Sequence, residues 1–141
     1  MTLPLLHMLD TNIASVIIKG SAPFILARLT ALPMNSVVVS SVTEAELLYG
    51  LAKCGRPAGL AARIREFLAR IDVLPWGRKA AAAYGDFRTS WETVGISLDG
   101  LDMMIAAHAV SVGATLVTKD QAFSRVPSGL NIEDWTKEIP L

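Results

Sequence analysis

One cysteine, two histidines and a net charge of zero are the scarcities of this 141-residue chain. Cys54 alone cannot close an internal disulfide, which excludes a stapled extracellular scaffold and fits a reducing, cytoplasmic setting. Thirteen basic against 13 acidic side chains provide no overall positive field of the kind nucleic-acid binders carry. Gathering four acids into one site would still leave the remaining surface basic, so composition is neutral on that point. No apolar run is long enough to span a bilayer, and no basic-then-apolar leader opens the chain. Disorder is excluded by what is present, 52% hydrophobic against 18% charged residues. With no internal repeat, linker or low-complexity segment, residues 1–141 read as a single domain.

The pattern of elements comes next. Leu5-Leu6-His7-Met8-Leu9 is a short apolar run that stops at Asp10-Thr11-Asn12, which predicts a buried strand ending in polar groups. Residues 13–19 read as a helix stopped by Gly20, and 23–31 as another with Pro23 in its first turn. Val37-Val38-Val39 predicts a fully buried strand. The helix over 42–54 follows, with Ser41 and Glu44 as a capping box and Gly55 as its stop. Further helices are expected over 56–70, 79–94 and 101–112, the last two closed by Gly95 and Gly113. Residues 73–74, 114–117 and 130–132 read as short strands, and 121–123 as a single turn. Strands alternating with helices predict an α/β fold, a three-layer α/β/α sandwich with a mostly parallel central sheet.

Four acids need explaining in that arrangement. Asp10 ends the first strand, Glu46 lies early in the 42–54 helix, Asp102 starts the 101–112 helix, and Asp120 follows the 114–117 strand. Each has a plain structural reading. Asp10 and Asp120 suit helix caps, Asp102 suits the positive end of a helix dipole, and Glu46 suits a solvated helix face. Asp102 nevertheless shares a stripe with Ile105, Ala106 and Ala109, and a charge on an apolar face is costly unless paired or metal-bound. Glu46 shares one with Val42, Ala45 and Tyr49, against a rival apolar face of Leu47, Leu48 and Leu51. Asp99 is better placed as the N-cap of the later helix.

In a parallel sheet the strand C-termini lie along one edge, so the four acids converge there. Carboxylates crowded together raise one another's pKa unless a cation intervenes. An all-oxygen set without nearby histidine or cysteine suits Mg²⁺ or Mn²⁺ rather than zinc.

At these residues the chain resembles the PIN-domain ribonucleases, and within them the VapC-type toxins of bacterial toxin–antitoxin pairs. The likeness runs in order through Met8-Leu9-Asp10-Thr11-Asn12 and Ser40-Ser41-Val42-Thr43-Glu44-Ala45-Glu46-Leu47-Leu48-Tyr49-Gly50. It continues through Asp102-Met103-Met104-Ile105-Ala106-Ala107-His108-Ala109 and Leu116-Val117-Thr118-Lys119-Asp120-Gln121-Ala122-Phe123, and closes on Ile132-Glu133-Asp134-Trp135. Each piece is weak alone; the ordered set is specific. The resemblance implies a metal-dependent endoribonuclease with Asp10, Glu46, Asp102 and Asp120 as its catalytic and metal-holding acids. It implies Mg²⁺ or Mn²⁺ as cofactor, with Thr11, Asn12 and Thr118 as polar support. It also implies a structured RNA substrate such as tRNA or rRNA, a small cognate antitoxin and a homodimer, with no membrane. Arg88 is then the first basic residue to consider for an RNA or partner contact, against ordinary surface charge. His7 and His108 read as packed or surface residues rather than catalysts.

Two other classes compete. A phosphoacceptor receiver domain also clusters acids at a sheet edge, but the first motif lacks adjacent paired acids and Glu46 falls in a helix. A catalytically silent PIN-like RNA-binding module would not need all four acids intact.

Overall fold

The computed structural model describes residues 5–20, 22–96, 98–125 and 129–137. Short apolar segments, too brief for helices, pair side by side as β1 (His7–Leu9), β2 (Val37–Ser40), β3 (Asp72–Leu74), β4 (Thr115–Val117) and β5 (Ile132–Glu133). The sheet order is β3-β2-β1-β4-β5, and every pairing is parallel. Between them run α1 (Thr11–Lys19), α2 (Pro23–Thr30), α3 (Ser41–Lys53), α4 (Ala58–Arg70), α5 (Arg78–Thr93) and α6 (Gly100–Ser111). No single helix is long and apolar enough to cross a membrane among the described residues.

Because strand side chains alternate between faces, each central strand feeds two cores. Met8, Val38 and Leu116 stand in register and pack with Trp91, Met103 and Ala106 beneath α5 and α6. Leu9, Val39 and Val117 face the other way, joining Ile13, Ile25, Leu47 and Phe67 from α1 to α4. Helices on both faces of a parallel sheet are the three layers expected.

Chain direction does the rest. A helix that follows a strand begins at the sheet's C-terminal rim, as α1 and α3 do after β1 and β2. A helix that runs back to feed a parallel strand also begins there, as α6 does before β4. The strand order reverses on either side of β1, so the crevice between the ends of β1 and β4 is the topological switch point at which open α/β sheets bind ligands.

Two expectations from sequence need correction. The capping box of Ser41 and Glu44 does not form. β2 runs on through Ser40, whose side chain accepts from Val42 N at 3.1 Å and is the true N-cap of α3. Ser41 is the first helical residue, and its hydroxyl accepts from the Trp76 amide at 2.9 Å. The helix expected over 56–70 starts at Ala58, because Pro57 is its N-cap and Arg56 has φ 55° in the turn after Gly55.

Candidate active site

Asp10 lies immediately beyond β1 and is 6% exposed. One carboxylate oxygen accepts from Ile13 N at 2.8 Å, capping α1, so the cap and the rim position are both true of this residue. Burial pushes its pKa up. Hydrogen bonds from Thr118 and from Ile13 N oppose that, the Asp120 charge adds to it, and Lys119 draws it down. Because asparagine retains an acceptor for the capping bond, Asp10→Ala is expected to be less stable than Asp10→Asn by about 1 kcal/mol. Denaturant midpoints of the two variants measure this, and equal midpoints would remove the capping role.

Asp102, in the first turn of α6, is the electrostatic centre of the group. Its pKa is raised to about 6, first by burial and then by the charges of Asp99, Glu46, Asp10 and Asp120. Three other acids named from the sequence thus sit within electrostatic reach of Asp102, and Asp99 adds a fourth charge while capping α6 through Leu101 N at 2.7 Å. None of Asp10, Glu46, Asp102 and Asp120 joins an ion pair among the described residues.

Glu46 is positioned by a neighbouring helix. Thr11 at the start of α1 donates to Glu46 Oε1 at 2.6 Å, and its own oxygen lies 3.1 Å from the hydroxyl of Thr43, which is fully buried. With its proton given to Glu46, Thr11 accepts the one from Thr43. The apolar stripe proposed for Glu46 does not hold: Tyr49 is 67% exposed and Ala45 is exposed as well. Thr43, one turn before Glu46, was missed from the sequence. Its i, i+3 spacing to Glu46 was the available signal.

Asp120 stands at the exposed side of the group. Its Oδ1 accepts from Ala122 N at 2.9 Å, capping the 3₁₀ turn Gln121–Arg125, and its own N–H donates to Thr118 Oγ1 at 3.0 Å. Buried Thr118 therefore serves two acids, Asp10 through its side chain and Asp120 through the backbone. Asn12 is exposed on α1, with no hydrogen bond to the acids among the described residues.

A second line of contacts braces the helices that carry the acids. His108 on α6 is 2% exposed, with Nδ1 at 2.8 Å from Ser40 Oγ. Ser40 Oγ also accepts from Val42 N and retains both a proton and a second lone pair for the ring, so the direction of this bond follows the histidine tautomer. Burial lowers the pKa of His108. This histidine ties the start of α3 to α6 without reaching the acids.

The donor set can be tested against a divalent cation. All four side chains offer oxygen, the neighbouring acids push up the pKa of Asp102 and the Asp120 charge that of Asp10, and none of the four is ion-paired among the described residues. No three His, Cys, Asp or Glu side chains among the described residues close on one point as a preformed cage. The chemistry of an all-oxygen donor set suits Mg²⁺ or Mn²⁺, of which Mg²⁺ retains several waters and needs only one or two direct carboxylates.

Comparison with known proteins bears on the fold and the family. Residues 7–129 match the PIN domain family. The chain is 39% identical over 130 residues to the tRNA(fMet)-specific endonuclease VapC of Shigella flexneri, spanning 92% of this chain and 97% of the relative. It is 33% identical over 135 residues to ribonuclease VapC2 of Rickettsia felis, spanning 94% and 100%. A chain of the Rickettsia felis VapBC2 crystal structure, bound to a promoter DNA fragment, superposes with a TM-score of 0.86 at 32% identity, over 93% of this chain and 99% of that one. A chain of VapBC from Salmonella typhimurium, also DNA-bound, gives 0.86 at 35% identity over 94% and 99%. The chain belongs to the PIN-domain family, among its VapC members.

Proposed function

We propose that this chain, acting as one domain, is the endoribonuclease toxin of a VapBC-type pair and cleaves RNA at the rim formed by Asp10, Glu46, Asp102 and Asp120. The observation that carries the reading is Asp102, whose carboxyl is held near pKa 6 by burial and by converging acids. Asp10, Glu46 and Asp102 would hold Mg²⁺ or Mn²⁺, with Asp120 joining directly or through water. Such an ion, when bound, lowers the pKa of a coordinated water and offsets charge on the scissile phosphate. Thr11 holds Glu46 in one rotamer, and Thr118 fixes Asp10 relative to the loop of Asp120. Burial around Asp10 keeps solvent from the inner side of the group.

Incubating the purified protein with tRNA in Mg²⁺, in Mn²⁺ and in EDTA tests this. Cleavage is expected with either ion and is expected to vanish in EDTA and in Asp10→Asn. Equal cleavage by Asp10→Asn would trace the activity to a contaminant. Stable labelling of Asp10 by a phosphoryl donor, without cleavage of RNA, would favour a receiver instead.

The antitoxin reading has its own surface. A groove of about 620 Å³ opens between α1, α2 and α4, lined by Ile17, Leu26, Leu29, Phe67 and Ile71, with Arg63 and Arg70 among its charged lining. Leu26 is 39% exposed and Met34 74%, an apolar surface that a helix of the small cognate antitoxin would cover. Co-expression with a VapB-type antitoxin is expected to yield a stable complex, and Leu29→Asp to weaken it roughly tenfold. An undiminished complex would move the interface elsewhere. A homodimer is part of the same reading, to be checked by light scattering.

A further inference from the structure

Outside the carboxylate rim, one cluster combines aromatic faces with a held cation. Trp76 lies two residues past the end of β3, at the same edge of the sheet. Its amide donates to Ser41 Oγ at 2.9 Å and its indole N–H donates to the Met104 carbonyl at 2.9 Å. Trp76 is therefore pinned between the opening turns of α3 and α6, which carry Glu46 and Asp102. Tyr84 on α5 meets it edge-on, with ring centroids 6.1 Å apart. Arg88, one turn further along α5, places its guanidinium 5.6 Å from the Tyr84 ring centroid. The guanidinium also donates to the Tyr84 hydroxyl and, at 2.8 Å, to Glu92. Trp76 and Tyr84 are half-buried, while the Arg88 side chain is 45% exposed.

A surface ion pair between Arg88 and Glu92 alone would contribute little to the helix. The arrangement has a chemistry beyond that. Unpaired RNA bases are recognised by stacking on aromatic rings and on guanidinium planes. Stacking is tolerant of base identity, and a fixed cation adds attraction for the polyanion that the acidic rim by itself repels. The rigid support matters as well, since a ring held by its own indole N–H bond on a backbone anchored to Ser41 loses little freedom on binding.

We infer that Trp76, Tyr84 and Arg88 form a stacking platform that receives an unpaired base of the RNA flanking the scissile bond, an inference that rests on the ribonuclease reading. The three are positioning residues for substrate and stand apart from the acids.

The chain offers its own probe. Of its three tryptophans, Trp91 and Trp135 are 0% exposed, so quenching by an added base reports on Trp76. The protein is titrated in EDTA with a short single-stranded oligoribonucleotide and with the same strand carrying one abasic site at successive positions. Saturable quenching is expected, with affinity lost at one abasic position. Tyr84→Leu and Arg88→Gln are each expected to weaken binding roughly tenfold and to raise KM for RNA cleavage in Mg²⁺, the effect falling on KM rather than kcat. Circular dichroism and light scattering of both variants establish that fold and oligomeric state are retained. Unchanged affinity and KM in both variants, with the parent cleaving RNA, would overturn the platform and leave the ribonuclease reading intact. A parent that neither binds nor cleaves RNA would instead overturn the ribonuclease reading. A change of oligomeric state in Tyr84→Leu would assign the surface to a second copy of the chain and overturn the proposal.

Discussion

Asp102→Asn is expected to lose RNA cleavage by about a thousandfold while melting at a higher temperature than the parent in metal-free buffer at pH 7. Both effects have one cause. The native Asp102 carboxyl holds its proton up to about pH 6, whereas the unfolded one releases it near the ordinary aspartate value of 3.8. Between those values the native state binds more protons than the unfolded state, so stability falls as pH rises through the window. Above about pH 6 the whole penalty is present, and below the unfolded value it is gone. Asparagine carries no charge and escapes it. Because the side chain is only partly buried, solvent screening reduces the penalty to about 1–2 kcal/mol, or roughly 3–8 °C in Tm.

The difference between variant and parent should therefore be largest at neutral pH and close towards pH 4. Saturating Mg²⁺ should close it from the other side by stabilising the parent. His108 adds a slope of opposite sign to both proteins. Its native pKa is lowered from 6.5, so stability is lost as pH falls below that value, and the term cancels in the comparison. Melting curves across pH 4–8 with and without Mg²⁺ check all of this. A variant that still cleaves RNA, or whose advantage does not depend on pH, would show that Asp102 is not the strained centre of the group.

The largest loss of stability is expected at the other end of the chain. Trp135 is fully buried beyond β5, in the core shared with Leu9, Ile13, Ile25 and Val117. Its indole N–H donates to Glu133 at 3.1 Å, and its ring centroid lies 5.7 Å from that of His7. Glu133 also faces His7 at 3.5 Å and Arg28 at 3.7 Å, so the last strand, the first strand and α2 meet at this point. Trp135→Ala is expected to cost about 3–5 kcal/mol, a large share of the 5–15 kcal/mol typical of a folded domain. Trp135→Phe retains most of the apolar volume and is expected to cost about half as much. Urea denaturation should show lower midpoints at unchanged slope. A cost below about 1 kcal/mol for the alanine variant would mean that the segment after β5 does not clasp the fold. The closing Ile132-Glu133-Asp134-Trp135 motif thus has a structural role, set apart from the acids.

Errors in the sequence reading have identifiable causes. Ser40 and Ser41 are chemically equivalent capping candidates. The choice between them fell to β2, which extends one residue further because Ser40 pairs with Leu74 of the edge strand. Glu46 illustrates the opposite failure. Its placement at the rim is expected from the parallel sheet, but the apolar stripe proposed for its side chain is contradicted by the exposed Tyr49. What holds Glu46 is the hydroxyl of Thr11, 35 residues earlier and on another helix. Trp76 was overlooked altogether, because its two anchoring bonds reach Ser41 and Met104, at separations no local pattern records.

By itself the chain of amino acids determined the elements and their order. Runs such as Val37-Val38-Val39 bounded by serines, and helices stopped at Gly20 and Gly113 with φ of 78° and 68°, follow from local sterics and burial that neighbours in sequence dictate. Parallel direction then required the strand ends, and with them Asp10 and Asp120, to share a rim. Only the tertiary structure decided how closely the acids press on Asp102, which threonines hold them, and that Trp76 is braced between α3 and α6. Those outcomes depend on desolvation and on hydrogen bonds between distant segments, energies that do not exist until the layers close around them.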